Sequence, residues 1–210
     1  MKYLVVYAHP VPTSFSSALY QATVSTLRQK GHEVRALDLY AMNFDPRLSR
    51  AERERYLDLQ TGETSKPPIS GELEPHVDAL RWAEGLVLVF PTWWFGVPAI
   101  LKGWLDRVWM PGVVFDYETR QRNGQAVVIG LNGKLTNVTR LVCITTTGSP
   151  WWALLLLRGN PARRQVYASV GPNLSPKLTK TWLSLDRMDS ASPEKRKAFL
   201  QLVEQRLSKL

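Results

Sequence analysis

Three short stretches of this 210-residue chain carry side chains able to bind a small ligand and help it react. The first is His9-Pro10-Val11-Pro12-Thr13-Ser14-Phe15-Ser16. It supplies an imidazole, hydroxyls and, if a helix starts there, helix-start amides without partners. Together these make a phosphate site, with His9 as a donor or a partial positive charge. A capped helix with no ligand fits the loop equally well. The stretch has neither the Gly-x-Gly-x-x-Gly of a dinucleotide turn nor the Gly-Lys-Ser/Thr of a P-loop. The second stretch is Pro91-Thr92-Trp93-Trp94-Phe95-Gly96-Val97-Pro98. Three adjacent aromatics cannot all enter one core, so some line a cleft or an interface, where flat rings suit a planar conjugated ligand. Gly96 lets backbone approach ring heteroatoms. The competing arrangement puts two of the rings in the core and one at a subunit contact. The third stretch, Thr145-Thr146-Thr147-Gly148-Ser149-Pro150, offers hydroxyls and amides to an electron-rich ring edge, although Thr-rich turns are common.

The elements that must position these stretches follow from hydrophobic pattern and punctuation. Tyr3 to Ala8 reads as a buried strand closed by His9-Pro10. Thr13 or Ser14 caps a helix to about Lys30, with Ala18, Leu19, Ala22 and Leu27 facing inward. Gly31 stops it, and Glu33 to Leu39 forms a second strand, which makes a βαβ unit and a parallel sheet. The polar stretch from Tyr40 to Leu73 is a long connection holding one charged helix, about Ser49 to Leu59. A helix over Leu73 to Trp82 precedes a third strand, Gly85 to Phe90, and Pro98 to Val108 is helical. Gly112 to Asn137 is an excursion from the sheet, with turn signals at Asn123-Gly124 and Asn132-Gly133. Arg140 to Thr146 is a fourth strand. Asn160-Pro161 opens a helix to about Val170, Leu178 to Leu185 is a fifth strand, and Ser192-Pro193 opens a terminal amphipathic helix. The pattern is that of one α/β domain over residues 1–210, a doubly wound five-stranded parallel sheet. Such sheets bind ligands beyond the carboxyl ends of their strands, where the three stretches fall.

Composition narrows the chemistry. Hydrophobic residues at 44% and charged residues at 21% exclude wholesale disorder. Cys143 is the sole cysteine, so a disulfide framework within the chain and a cysteine-built metal site are both excluded. His9, His32 and His76 come without a tight carboxylate cluster, and no metal is expected. No apolar run approaches the roughly 20 residues of a membrane span, and the N-terminus reads as a core strand, so a cytoplasmic protein is expected. The net charge of +9 lies wholly in residues 106–210, with 16 basic and 7 acidic side chains; residues 1–105 carry 11 of each. That asymmetry is a solvated basic face or an attraction for an anionic partner. The scattered basic residues lack the aromatic interleaving of a nucleic-acid platform. His76 is expected on a solvated helix face and His32 in an exposed turn. Cys143 is expected to be a buried hydrophobe, and Trp82, Trp104 and Trp109 core or interface residues. Arg158, Arg163 and Arg164 stand near the presumed entrance, to meet a nicotinamide dinucleotide or to be solvated.

Taken in order, Tyr3 to Ser16, the run from Pro91 through Ala99-Ile100-Leu101-Lys102-Gly103-Trp104, and Thr146-Thr147-Gly148 resemble the NAD(P)H:quinone oxidoreductases of the flavodoxin-like class. The resemblance implies strand order 2-1-3-4-5, a tightly bound flavin (FAD or FMN) and a homodimer with sites at the subunit interface. It also implies hydride transfer from NADH or NADPH through flavin N5 to a quinone-like acceptor, in a ping-pong cycle. By position, His9, Ser14, Phe15, Ser16 and Ala18 would hold the phosphate region. Pro91, Thr92, Trp93, Trp94 and Phe95 would contact the ring, and Thr146, Thr147, Gly148 and Ser149 its pyrimidine edge. Trp94 would form part of a substrate wall; Trp151 and Trp152 would extend it as a roof over the flavin or, equally, pack at the subunit contact. The chain departs from the pattern after Gly148: Ser149 replaces a second glycine, and the Tyr and His that follow in eukaryotic members are missing. Ser16 replaces an Asn, which leaves FAD and FMN both open. Two other roles fit the same residues, a flavin-bearing regulatory subunit of a membrane transport system and a one-electron flavodoxin carrier. The carrier is disfavoured by the basic charge.

Overall fold

The computed structural model describes residues 1–61, 69, 71–122, 125–157 and 159–210. In chain order the strands and α-helices are β1 (Lys2–Tyr7), α1 (Phe15–Gln29), β2 (Glu33–Asp38), α2 (Arg50–Thr61), α3 (Glu74–Trp82), β3 (Gly85–Pro91) and α4 (Ala99–Val108). Then come β4 (Phe115–Arg122), β5 (Gln125–Gly133), β6 (Arg140–Thr146), α5 (Pro161–Ser169), β7 (Thr179–Leu185) and α6 (Pro193–Leu207). The main sheet is β2-β1-β3-β6-β7, all parallel, while β4 and β5 form a separate antiparallel hairpin. Without the hairpin, the sheet strands read 2-1-3-4-5.

Alternation along the central strands sorts the two faces. Tyr3, Val5 and Tyr7 pack with Val87 and Val89 against α1 and α6, through Leu19, Leu27, Phe199 and Val203. Leu4, Val6, Leu86 and Leu88 pack on the opposite face with Leu80, Leu101, Trp104 and Val166 from α3, α4 and α5. Burial on both faces is why β1 and β3 read as unbroken apolar runs. The edge strand β7 is covered less, and Lys180 and Ser184 are exposed there.

Caps fall where the side-chain chemistry demands. Ser14, Asn160 and Ser192 each accept the amide of the residue three further on, opening α1, α5 and α6. The inward stripe of α1 differs from the expected one. Leu19, Thr23, Thr26 and Leu27 are buried, while Ala18 and Ala22 are only half-buried. Thr23 tolerates the core because its hydroxyl donates to the Leu19 carbonyl at 2.7 Å. The excursion is the β4–β5 hairpin. Asn123-Gly124 lies outside the described residues, and Asn132-Gly133 sits inside β5 rather than in a turn. Gly133 is needed for close approach, since a Cβ there would come within 2.8 Å of the Asn173 backbone.

The Tyr40 to Leu73 connection is strapped down by one buried cation. Arg107 on α4 donates to Glu52 at 2.9 and 2.8 Å, to Glu72 and to the Asp45 carbonyl. Gly103, one turn earlier, lets Pro46 lie directly on α4, and a methyl group there would overlap the Pro46 backbone. Beneath them His76 is buried, not solvated as expected. Its Nδ1 accepts the Trp104 indole N–H at 3.2 Å, and Phe44 packs edge-on. A histidine on a charged helix reads as exposed; only the packing of α3 on α4 supplies the indole donor.

Two outcomes follow. Gly103→Ala should cost about 1–3 kcal/mol in urea unfolding, because backbone must move to admit the methyl. Burial, and secondarily Arg107, hold the His76 pKa below its ordinary value of 6.5. The unfolded state therefore binds the proton first, and stability is lost as pH falls below 6.5 through the folded value. His76→Gln should flatten that part of the stability–pH curve, read by urea titrations at about pH 7 and about pH 5.

Candidate functional site

Parallel pairing brings the carboxyl ends of β1, β3 and β6 to one edge, where they open on a cleft of about 810 Å³. The first wall is the start of α1. Ser14 Oγ caps the Ser17 amide at 3.1 Å and lies 3.5 Å from the Tyr7 hydroxyl. The Phe15 and Ser16 amides, one turn too early for an intrahelical acceptor, remain a positive end, and no acidic residue sits in the first turn. His9 lines the same wall. Its Nδ1 accepts the Val11 amide at 3.0 Å, which leaves the proton on Nε2, and burial pushes its pKa down. Of the two roles open to His9, the geometry favours the neutral donor over the partial positive charge.

The second wall is a tight turn. Trp93 and Gly96 exchange both backbone hydrogen bonds, at 3.1 and 3.0 Å. Between them Trp94 and Phe95 have φ of 50° and 65°, the pair of left-handed residues a two-residue hairpin of matching twist requires. Side chains other than Gly or Asn pay about 1 kcal/mol or more for that conformation. The turn lifts Trp94 into solvent at 97% exposure, while Trp93 is 41% exposed and tilted 5.7 Å from the His9 ring. None of the three aromatics enters the core, so the arrangement with two rings buried is not the one adopted.

The third wall is latched to the second. The amide and hydroxyl of Thr92 both donate to the Thr146 carbonyl, at 2.8 and 3.1 Å. The Thr147 amide pairs with the Leu185 carbonyl, and Ser149 N–H donates to Thr147 Oγ1 at 3.3 Å. Gly148 is exposed, and a Cβ on it would approach Asp189 Oδ2 to 2.7 Å.

The cleft lining thus unites His9, Ser14, Phe15, Ser16, Pro91, Thr92, Trp93, Trp94, Phe95, Thr146, Thr147, Gly148 and Ser149. It also includes Met188 and Asp189, which sequence reasoning missed. They follow β7, whose carboxyl end shares the same edge, and the Met188 amide donates to the Thr147 carbonyl at 2.9 Å. The signal was available in the strand direction but not in the residues themselves. Ala18 does not line the cleft, because α1 has left the sheet edge by its second turn. Trp151 and Trp152 stand outside the lining, 63% and 44% exposed. Arg163 and Arg164 are exposed on α5, also outside it, and Arg158 lies outside the described residues. Among the described residues, no group of three or more His, Cys, Asp or Glu could hold a metal ion.

Residues 1–154 match the model of a family described as having the flavodoxin-like fold. The chain is 38% identical over 159 residues to the NAD(P)H dehydrogenase (quinone) 1 of Rattus norvegicus, covering 70% of this chain and 53% of that one. The chain belongs to this flavodoxin-like family. The ribosyldihydronicotinamide dehydrogenase (quinone) of Homo sapiens is 37% identical over 158 residues, again 70% of this chain and 64% of the relative. The chain thus spans between about half and two thirds of the length of these relatives. Among solved structures, Smu.1420 from Streptococcus mutans UA159 superposes with a TM-score of 0.81 at 30% identity, covering all of both chains.

The strained turn supplies its own test. Trp94→Gly removes the Cβ penalty at φ 50° and should leave stability unchanged or raise it by up to about 1 kcal/mol, read by urea unfolding. A clear loss of stability would show that the exposed indole supports the fold.

Proposed function

We infer that this chain is an NAD(P)H-dependent flavoprotein oxidoreductase that passes two electrons to a quinone-like acceptor. The observation that carries the reading is the convergence of an amide-rich helix start, an aromatic turn and a hydroxyl-rich loop on one cleft of about 810 Å³. That volume lies within the range of cofactor sites. The donor set fits a flavin along its length. The Phe15 and Ser16 amides with the Ser14 and Ser16 hydroxyls suit a phosphate, and the absence of acidic residues from the first turn of α1 keeps that end attractive to anions. Trp93, Trp94 and Phe95 suit the ring, and the loop from Thr146 to Ser149 suits its pyrimidine edge. Gly148 keeps the space beside Asp189 free of a side chain. FMN and FAD both satisfy these donors.

A flavin held there would supply two-electron hydride chemistry at N5 between the nicotinamide and the acceptor, and if the two used one ring face in turn the cycle would be ping-pong. The protein's part is positioning. The third loop meets negative charge on the ring with hydroxyl and main-chain donors, where a Tyr–His pair is missing, and His9 Nε2–H adds a neutral donor. The indole of Trp94, almost wholly exposed, forms the wall against which the nicotinamide and the acceptor stack, and it is covered by a second copy in a homodimer. The expected compartment is the cytoplasm.

The purified protein should be yellow, and its absorbance near the flavin maximum should bleach when NADPH or NADH is added without oxygen and return with a quinone. A colourless protein that takes up neither FMN nor FAD on reconstitution would defeat this reading.

A further inference from the structure

Charge is distributed unevenly along the cleft. Among the described residues its lining holds one acidic side chain, Asp189, and no Lys or Arg. His9 is a neutral donor. Attraction for anions therefore comes from main chain alone, at the start of α1, where Phe15 and Ser16 offer their amides.

Asp189 is held where it stands. It lies in the tight turn Met188–Ser190 between β7 and α6. The Met188 amide fastens that turn to the Thr147 carbonyl at 2.9 Å. A Cβ on Gly148 would come within 2.7 Å of Asp189 Oδ2, so the carboxylate lies directly against the third loop. No ion pair among the described residues includes it. The cations near it in sequence are engaged elsewhere or stand apart. Lys195 pairs with Asp186 at 3.0 Å, Arg196 donates to the Met188 carbonyl at 3.4 Å, and Arg187 is exposed outside the lining.

This carboxylate stands in the direction a longer ligand would take. The lining draws residues from the exits of β1, β3, β6 and β7 and none from the exit of β2. Beyond the α1 start the cleft thus continues on the β7 side, where α6 packs beside α1 with Phe15 and Phe199 at 6.5 Å. The two flavins place their charge differently. The terminal phosphate of FMN gathers about −1.5 to −2 on one group, which one helix start can meet. FAD divides its charge between two linked phosphates of about −1 each. The helix start then meets half of it, and the second phosphate lies in a cleft whose lining offers a carboxylate and no cation. Ribityl hydroxyls, in contrast, are donors that a carboxylate accepts.

We propose that the cleft is a mononucleotide site, which takes FMN in preference to FAD, and that Asp189 sets the preference by repelling a second phosphate. This inference rests on the proposed flavin-dependent function and names its cofactor.

The test is calorimetric titration of FMN and of FAD into the full chain stripped of flavin. FMN should bind at least about tenfold more tightly than FAD. Asp189→Asn should tighten FAD at least about fivefold more than FMN, and Asp189→Glu should keep the original ratio. FAD binding as tightly as FMN, or FAD as the flavin released from the purified protein, would overturn the proposal and leave the redox reading standing. Asp189→Asn shifting both affinities by one common factor would also overturn it, since that is the mark of a merely structural residue. Failure of both flavins to bind would defeat the redox reading and this inference with it.

Discussion

Parallel pairing of β1, β3 and β6 is the constraint from which the site follows. Tyr7 pairs with Val89, and Pro91 with Thr146, so the three strands run out of hydrogen-bonding partners at one edge. The chain must leave the sheet there three times. Each exit exposes amides and carbonyls that need partners, and some of these partners are the neighbouring exits. Thr92 gives both its donors to the Thr146 carbonyl, and Met188 and Thr147 pair across the next gap. What those contacts leave over faces the cleft. An antiparallel strand at any of the three positions would send its loop to the opposite end of the sheet.

Stability and strain are distributed unevenly around that edge. The core is continuous on both faces of β1 and β3, where Leu4, Val5, Leu86, Val87 and Leu88 are fully buried. The cleft carries the unfavourable backbone, with Trp94 and Phe95 both left-handed in a turn closed by Trp93 and Gly96. A rigid sheet beneath makes such a turn tolerable, and the turn holds an indole where a flexible loop would let it fold back. On the far face, Arg107 stands in for apolar packing. Its bonds to Glu52, Glu72 and the Asp45 carbonyl leave the guanidinium paired while it anchors a polar connection.

Electrostatics separates two regions of the surface. The α1 start offers an uncharged, amide-based attraction for anions close to a neutral His9. The net charge of +9 belongs to the second half of the chain, in part to the stretch beside the exposed tryptophans and leucines. The first arrangement suits a bound phosphate at short range. The second acts over about a Debye length, roughly 10 Å at ordinary ionic strength.

Much of this was legible before any coordinates. Strands from Tyr3, Gly85 and Arg140 are apolar runs stopped by Pro or Gly, and Ser14, Asn160 and Ser192 cap helices by the same local chemistry wherever they occur. These signals are short-range, so the order of elements and the three ligand loops could be read from them. The rest depends on partners far apart in sequence. His76 is buried because Trp104, 28 residues away, offers an indole proton. Asp189 and Met188 join the cleft because β7 runs parallel to β6. Ala18 misses it because a helix turns away from the edge it starts on. The sequence by itself determined which segments become strands, helices and turns, because propensity, capping and periodicity act within a few residues. Tertiary structure alone decided which side chains meet, because only packing brings distant groups within hydrogen-bonding reach.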